Sequence, residues 1–237
     1  MKVLGIDSSG LVASVAVVED DILLAEYTVN YKKTHSQTLL PMLKEIGDMI
    51  NLDLNSLDAI AIAAGPGSFT GLRIGSATAK GLGLALDKPI IPVPTVDGLA
   101  YDLWGTDKIV CPIMDARRNQ VYTGIYEFCD GKLQILENQM AVSVTEIAEK
   151  LNALGREVIF LGDVVPVYRK TLAEVMKIPY SFAPAHMNRQ RASAVAVLGA
   201  QYYVQGRAES AMEHKPDYLR LSQAERERKE REEQNRA

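Results

Sequence analysis

The eighteen residues from Phe69 to Leu86, FTGLRIGSATAKGLGLAL, carry only two charges, Arg73 and Lys80. They follow an apolar run, Leu57–Ala63, that reads as a buried strand, with Gly65-Pro66-Gly67 as the turn between the two. On a helical wheel Arg73, Ser76 and Lys80 make one polar stripe, and the remaining circumference is apolar or small. A surface helix buries a stripe little wider than about 100°. This helix therefore needs cover on more than one side. Its own sheet supplies one cover; the other must come from elsewhere in the chain or from another protein.

The glycines invite comparison with phosphate loops. A P-loop needs a lysine directly after its second glycine, but Ser76 follows Gly75 and Lys80 lies more than a turn beyond. The dinucleotide fingerprint G-x-G-x-x-G fits at Gly65 and Gly67 and fails at Thr70. The wheel suggests a steric use instead. Gly71, Gly75, Ala79 and Gly83 repeat every four residues, and such a strip lets another backbone approach closely. The helical pattern at about 36–51 places Leu39, Leu40, Leu43, Ile46 and Ile50 on one face, and Pro41 makes that helix start late or bend. Side by side, the two helices form half of a four-helix bundle that a partner could complete, with ordinary packing inside the chain as the alternative.

Three strands, Val3–Asp7, Val12–Val18 and Ile22–Asn30, precede the first helix, so the N-terminal order is β-β-β-α-β-α. The order recurs with strands at Ile109–Asp115, Gln120–Phe128 and Leu133–Glu137. A helix follows, opened by a Ser143/Glu146 capping box, then a strand at Val158–Leu161 and a helix at Val165–Met176. This duplicated order is the pattern of the actin-like, ribonuclease-H-type (ASKHA) α/β fold. Residues 1–103 and 104–220 are the expected subdomains, with an apolar helix, Ala192–Val204, at their junction. From Glu225 onward five acidic and five basic residues make the 221–237 segment a solvated tail.

A formal net charge of -4 argues against a chain that grips a nucleic-acid backbone by itself. No apolar run approaches the roughly 20 residues of a membrane span, and no secretory signal opens the chain. Cys111 and Cys129 read as a buried, reduced pair, and a cytoplasmic location follows. His35, His186 and His214 lack metal-binding spacing, and no G-x-S-x-G elbow is present, so neither a metal nor a catalytic residue is expected. His35 reads as a capping or interface residue. Asp7, Ser8 and Ser9 end the first strand where actin-like ATPases hold phosphate; the readings are a vestigial nucleotide contact or a turn bonded to its own backbone. The second phosphate loop has only Leu161-Gly162-Asp163 as a candidate, so no cofactor is expected. Asp115, Arg117 and Arg118 form either a salt-linked turn or a contact for a partner or anion.

Five segments occur in matching order with one known family: Gly5–Ser9 (GIDSS), His35–Leu43 (HSQTLLPML), Gly65–Gly75 (GPGSFTGLRIG), Met114–Tyr122 (MDARRNQVY) and Pro216–Glu225 (PDYLRLSQAE). The chain resembles the bacterial TsaB (YeaZ) proteins from Met1 to about Glu225. The resemblance implies an actin-like fold and a part in making N6-threonylcarbamoyladenosine at position 37 of ANN-decoding tRNAs. It implies a non-catalytic subunit that dimerises with and activates the transferase TsaD, with the ATPase TsaE in the larger complex and tRNA met only through that complex. Alone, such a chain is expected to form a homodimer. The expected interface comprises His35, Leu39, Leu43 and Ile46 on one helix and Gly71, Leu72, Gly75, Ala79, Leu82 and Gly83 on the other. A metallopeptidase-like activity and a free-standing ASKHA ATPase are the alternatives; both conflict with the missing histidine pair or the missing second phosphate loop.

Overall fold

Tight turns at Ser8–Gly10 and Glu19–Asp21 leave the first three strands to pair with one another. β1 (Lys2–Asp7), β2 (Ala13–Glu19) and β3 (Ile22–Val29) form an antiparallel meander. The computed structural model describes residues 1–31 and 35–220; the charged tail at 221–237 lies outside them. α1 (His35–Met49) follows and runs through Pro41, so the helix neither waits for the proline nor stops at it. β4 (Ala59–Gly65) then adds in parallel beside β1, and α2 (Phe69–Leu86) starts at Ser68, whose Oγ accepts from the Gly71 N–H at 3.3 Å. β5 (Ile90–Pro94) lies parallel to β4 and closes the sheet in the order β3-β2-β1-β4-β5.

α3 (Thr95–Tyr101) crosses to the second half, where the plan repeats. β6 (Ile109–Asp115), β7 (Val121–Cys129) and β8 (Lys132–Val142) are antiparallel, while β9 (Val158–Leu161) and β10 (Tyr180–Phe182) add in parallel. Read from its other edge, as β8-β7-β6-β9-β10, the second sheet places its third, second, first, fourth and fifth strands as in the first sheet. α4 (Val144–Leu154) and α5 (Val165–Val175) lie between them in sequence. Each half thus runs one strand beyond the β-β-β-α-β-α order expected. β5 escaped the pattern because Pro92 and Pro94 interrupt it, which an edge strand tolerates. α3 escaped because all seven of its residues are buried, leaving no polar face from which a helical period could be read.

Both faces of the first sheet are covered, so β1 and β4 read as nearly continuous apolar runs. Leu4, Ile6, Ile60 and Ile62 pack under α1 and α2, while Val3, Ala59, Ala61 and Ala63 face α6 (Ala192–Val204). Gly5 permits that second contact: a Cβ there would stand 2.2 Å from the Ala192 carbonyl oxygen. α3 fills the junction, packing Val96, Leu99 and Ala100 against Val110, Met114 and Tyr126 of the second sheet. At its start, Asp97 accepts from Tyr126 Oη at 2.8 Å and from Tyr202 Oη at 2.9 Å, a clasp that joins α3, β7 and α6.

The cysteine expectation needs correction. Cys111 is buried, and burial pushes its thiol up to about 12, but Cys129 is exposed; both are free. One half of the expected capping box forms, with Ser143 Oγ accepting from the Glu146 N–H at 3.1 Å.

Candidate functional site

The turn after β1 shows what Asp7, Ser8 and Ser9 do. Asp7 Oδ1 accepts from the Ser9 N–H at 2.8 Å and from Ser9 Oγ at 2.7 Å. Burial pushes the Asp7 carboxyl up to about 6, against the opposing pull of those two bonds. Ser8 Oγ donates to the Gly71 carbonyl at 2.9 Å, and the Ser68 N–H donates to the Ser9 carbonyl at 2.6 Å, so the turn holds the start of α2. His35 Nε2 meets the Gly10 carbonyl at 2.8 Å and ties the start of α1 to the same turn. All three side chains are buried, and their polar atoms serve the turn and the helix it supports.

The small-residue strip of α2 faces inward. A Cβ on Gly71 would stand 2.1 Å from the Ser8 carbonyl oxygen, and one on Gly75 would stand 2.3 Å from Ser8 Oγ and 3.1 Å from Ile62 Cδ1. A Cβ on Gly83 would stand 2.8 Å from Ala211 Cβ. The strip admits a close approach, as its spacing predicts, but the approaching backbone belongs to this chain. Gly71, Leu72, Gly75, Ala79 and Gly83 are buried, as are Leu39, Leu43 and Ile46 of α1. Within this chain the first sheet, the turn after β1 and Ala211 lie against the strip. Among the expected interface residues His35 and Leu82 keep partial exposure.

The open side of the helix pair carries other residues. On α2 these are Arg73, Ala77, Gly81, Leu84 and Ala85, and nothing lies within 4 Å of a Cβ added to Gly81. On α1, Leu40 is 55% exposed and Met49 74%. A groove of about 480 Å³ runs along α1 and residues 51–54 and reaches Leu82 of α2; Leu40, Leu43, Lys44, Gly47 and Leu52 line it. Sequence reasoning missed this outward strip because Ala77, Gly81 and Ala85 share the small-residue spacing of the inner one.

A cleft of about 560 Å³ separates the two halves. One wall is Ser9, Gly10 and Gly67–Thr70; the other is Met114–Arg117, Tyr122 and Asp163. Asp163 accepts from the Asp115 N–H at 3.1 Å, and burial raises its carboxyl above the usual range. Arg117 pairs with Asp115 at 3.1 Å, which is the salt-linked reading of that turn, and Arg117, Arg118 and Asn119 all hold positive φ. The mouth is crossed by a C-terminal strap. Asp217 donates its N–H to the Ala64 carbonyl at 2.7 Å, the Tyr218 ring lies 4.7 Å from that of Phe69, and Arg220 reaches the Ala116 carbonyl. The strap matches the PDYLR segment, which sequence alone gave no structural role.

Among the described residues no group of three or more His, Cys, Asp or Glu side chains is placed to hold a metal ion, and no helix is long and apolar enough to cross a membrane.

Comparison with known proteins places this geometry. A family model described as TsaD, tRNA N6-adenosine threonylcarbamoyltransferase, matches residues 23–228. The tRNA threonylcarbamoyladenosine biosynthesis protein TsaB of Bacillus subtilis is 34% identical over 227 residues, 95% of this chain and 96% of its own. The Escherichia coli protein of the same name is 30% identical, covering 93% and 95%. Among solved structures, YeaZ from Pseudomonas aeruginosa is 25% identical with a TM-score of 0.78, over 92% of this chain and 99% of its own. The activator of 2-hydroxyisocaproyl-CoA dehydratase from Clostridium difficile matches at a TM-score of 0.50 with 10% identity over 87% of this chain and 97% of its own, a likeness of fold alone.

Proposed function

The chain belongs to the TsaB family of tRNA threonylcarbamoyladenosine biosynthesis proteins, and from that premise we propose that it is a non-catalytic subunit of the modification complex that docks a TsaD-type transferase on the open side of α1 and α2. One observation carries the docking part: a helix pair whose inner side is filled by the chain itself still offers apolar and small side chains outward, at Leu40, Ala77, Gly81 and Leu84. The groove along α1 that reaches Leu82 adds a receptive channel, and Gly81 leaves room for a partner helix to approach closely. Two helices from each protein would then complete a four-helix bundle. In the absence of the transferase the same face pairs two copies of this chain, since an uncovered apolar patch seeks cover. The ATPase TsaE and the tRNA substrate join through the complex, with modification at adenosine 37 of ANN-decoding tRNAs.

Gly81→Trp tests this reading. The site opens to solvent, so the variant should melt like the parent, while association with the transferase, followed by calorimetry, weakens at least a hundredfold. Heterodimer formation at parental affinity would place the interface elsewhere.

A further inference from the structure

The C-terminal strap divides into a firmly held heel and a lightly held toe. The heel, residues 209–214, pairs Glu209 with Ile90, packs Ala211 on Gly83, and gives the carbonyls of Met212 and His214 to Lys80 Nζ at 3.0 and 3.1 Å. His214 is buried, with Nδ1 meeting Glu209 Oε1 at 2.6 Å. The toe, residues 216–220, is different. It has no regular secondary structure, and Tyr218 and Leu219 stay more than a third exposed.

The toe touches both halves of the molecule. On the first, Asp217 bonds Ala64, and Phe69 meets both the tilted Tyr218 ring and Arg73, whose guanidinium carbon lies 4.0 Å from the ring centre. Gly65 makes room for it, since a Cβ there would stand 2.1 Å from the Asp217 carbonyl oxygen. On the second, Asp217 Oδ2 accepts from Gln139 Nε2 at 2.8 Å, and Arg220 donates to the carbonyls of Ala116 and Arg117. The latter carbonyls border a turn with three successive left-handed residues, a conformation that is strained for side chains other than glycine. Asp217, Tyr218, Leu219 and Arg220 together line the cleft from the side of the strap. Deeper in the junction, the Tyr126–Asp97–Tyr202 clasp is buried and does not depend on the toe.

We propose that residues 216–220 are a latch: seated, the toe bridges the cleft and steadies both of its walls; released, it pivots on the heel and widens the cleft while both sheets and the clasp stay folded. Segments with few buried contacts and exposed bonds open at lower cost than the whole domain, and the toe is such a segment, joining the two walls at the surface.

The test is hydrogen exchange on the full chain alone, comparing the parent with Tyr218→Ala/Arg220→Ala and with the gentler Arg220→Ala. The reporters are the Ser68 amide, bonded to Ser9, and the Ala116 and Gln120 amides of the opposite wall. The double variant should exchange at least tenfold faster at all three, the single variant less so and chiefly at Ala116 and Gln120. Amides of β1 and α6 should keep parental rates. Faster exchange confined to the toe would make it a passive end, and uniform acceleration across the molecule would make it part of the global fold. Either outcome, or parental rates throughout, overturns the latch. No transferase is present, and the Ser68 and Ala116 reporters line the cleft rather than the open side of α1 and α2, so the result is independent of the docking reading.

Discussion

Gly71, Gly75, Ala79 and Gly83 on one side of α2, and Ala77, Gly81 and Ala85 on the other, are strips of nearly the same composition and spacing. The first meets backbone and side chains of its own chain at distances that leave no space for a methyl group at its glycines; at Gly81 the second faces open space. The difference arises outside the helix. Ser8 and Ala211, far away in sequence, decide which strip is filled. A stripe of small residues thus announces that something will come close, and leaves open whether that is the chain or a partner.

The sharpest way to break this contrast is to enlarge the inner strip. Gly75→Leu adds a branched side chain where the first carbon already lies 2.3 Å from Ser8 Oγ, and the variant should show no cooperative thermal transition by circular dichroism. Gly71→Ala should cost about 3 kcal/mol or more in urea unfolding, because the obstacle at 2.1 Å is the Ser8 backbone, which moves only if the turn does. Parental stability in either variant would mean that the inner strip is not closed.

The floor beneath that strip has its own signature. Burial raises the Asp7 carboxyl to about 6, so the folded chain holds this proton more tightly than the unfolded chain does. The resulting stabilisation is present below about pH 4 and is lost as pH rises through about 6. Asp7→Asn keeps an oxygen for both Ser9 bonds and carries no charge. Its stability relative to the parent should therefore rise by about 3 kcal/mol between pH 4 and pH 7. Urea unfolding across that range checks it; a constant difference would mean that Asp7 is not held in a dry site. The smallest effect belongs to the outer strip. Gly81→Ala should raise stability by about 0.5–1 kcal/mol, since an exposed helical glycine gives way to a better helix former. A loss instead would show that Gly81 is packed.

The contrast also explains what the sequence revealed. The boundaries of α2, β6, β9 and α6 were legible because each is a clean apolar or periodic run bounded by turn residues. The duplicated strand order followed from those runs. The face proposed for docking was not legible in the same way: wheel geometry showed that α2 needs two covers, but Leu39, Leu43 and Ile46 point to the sheet for the same hydrophobic reason that would point them to a partner. The strap was invisible because its contacts are scattered backbone and single side-chain meetings with distant residues, which leave no period. The same holds for Asp97, whose two tyrosine partners lie 29 and 105 residues away.

The course of the strap bears on how the protein is made. β1, β4 and α2 leave the ribosome early, yet one face of their sheet is bare until α6 exists, and the flank of α2 at Gly83 is bare until Ala211 arrives. Contacts of this sequence separation form late. The half synthesised first is thus the half completed last, and a nascent chain halted before residue 192 would expose Ala59, Ala61 and Ala63 together with the inner flank of α2. Such a chain is a natural client for chaperones.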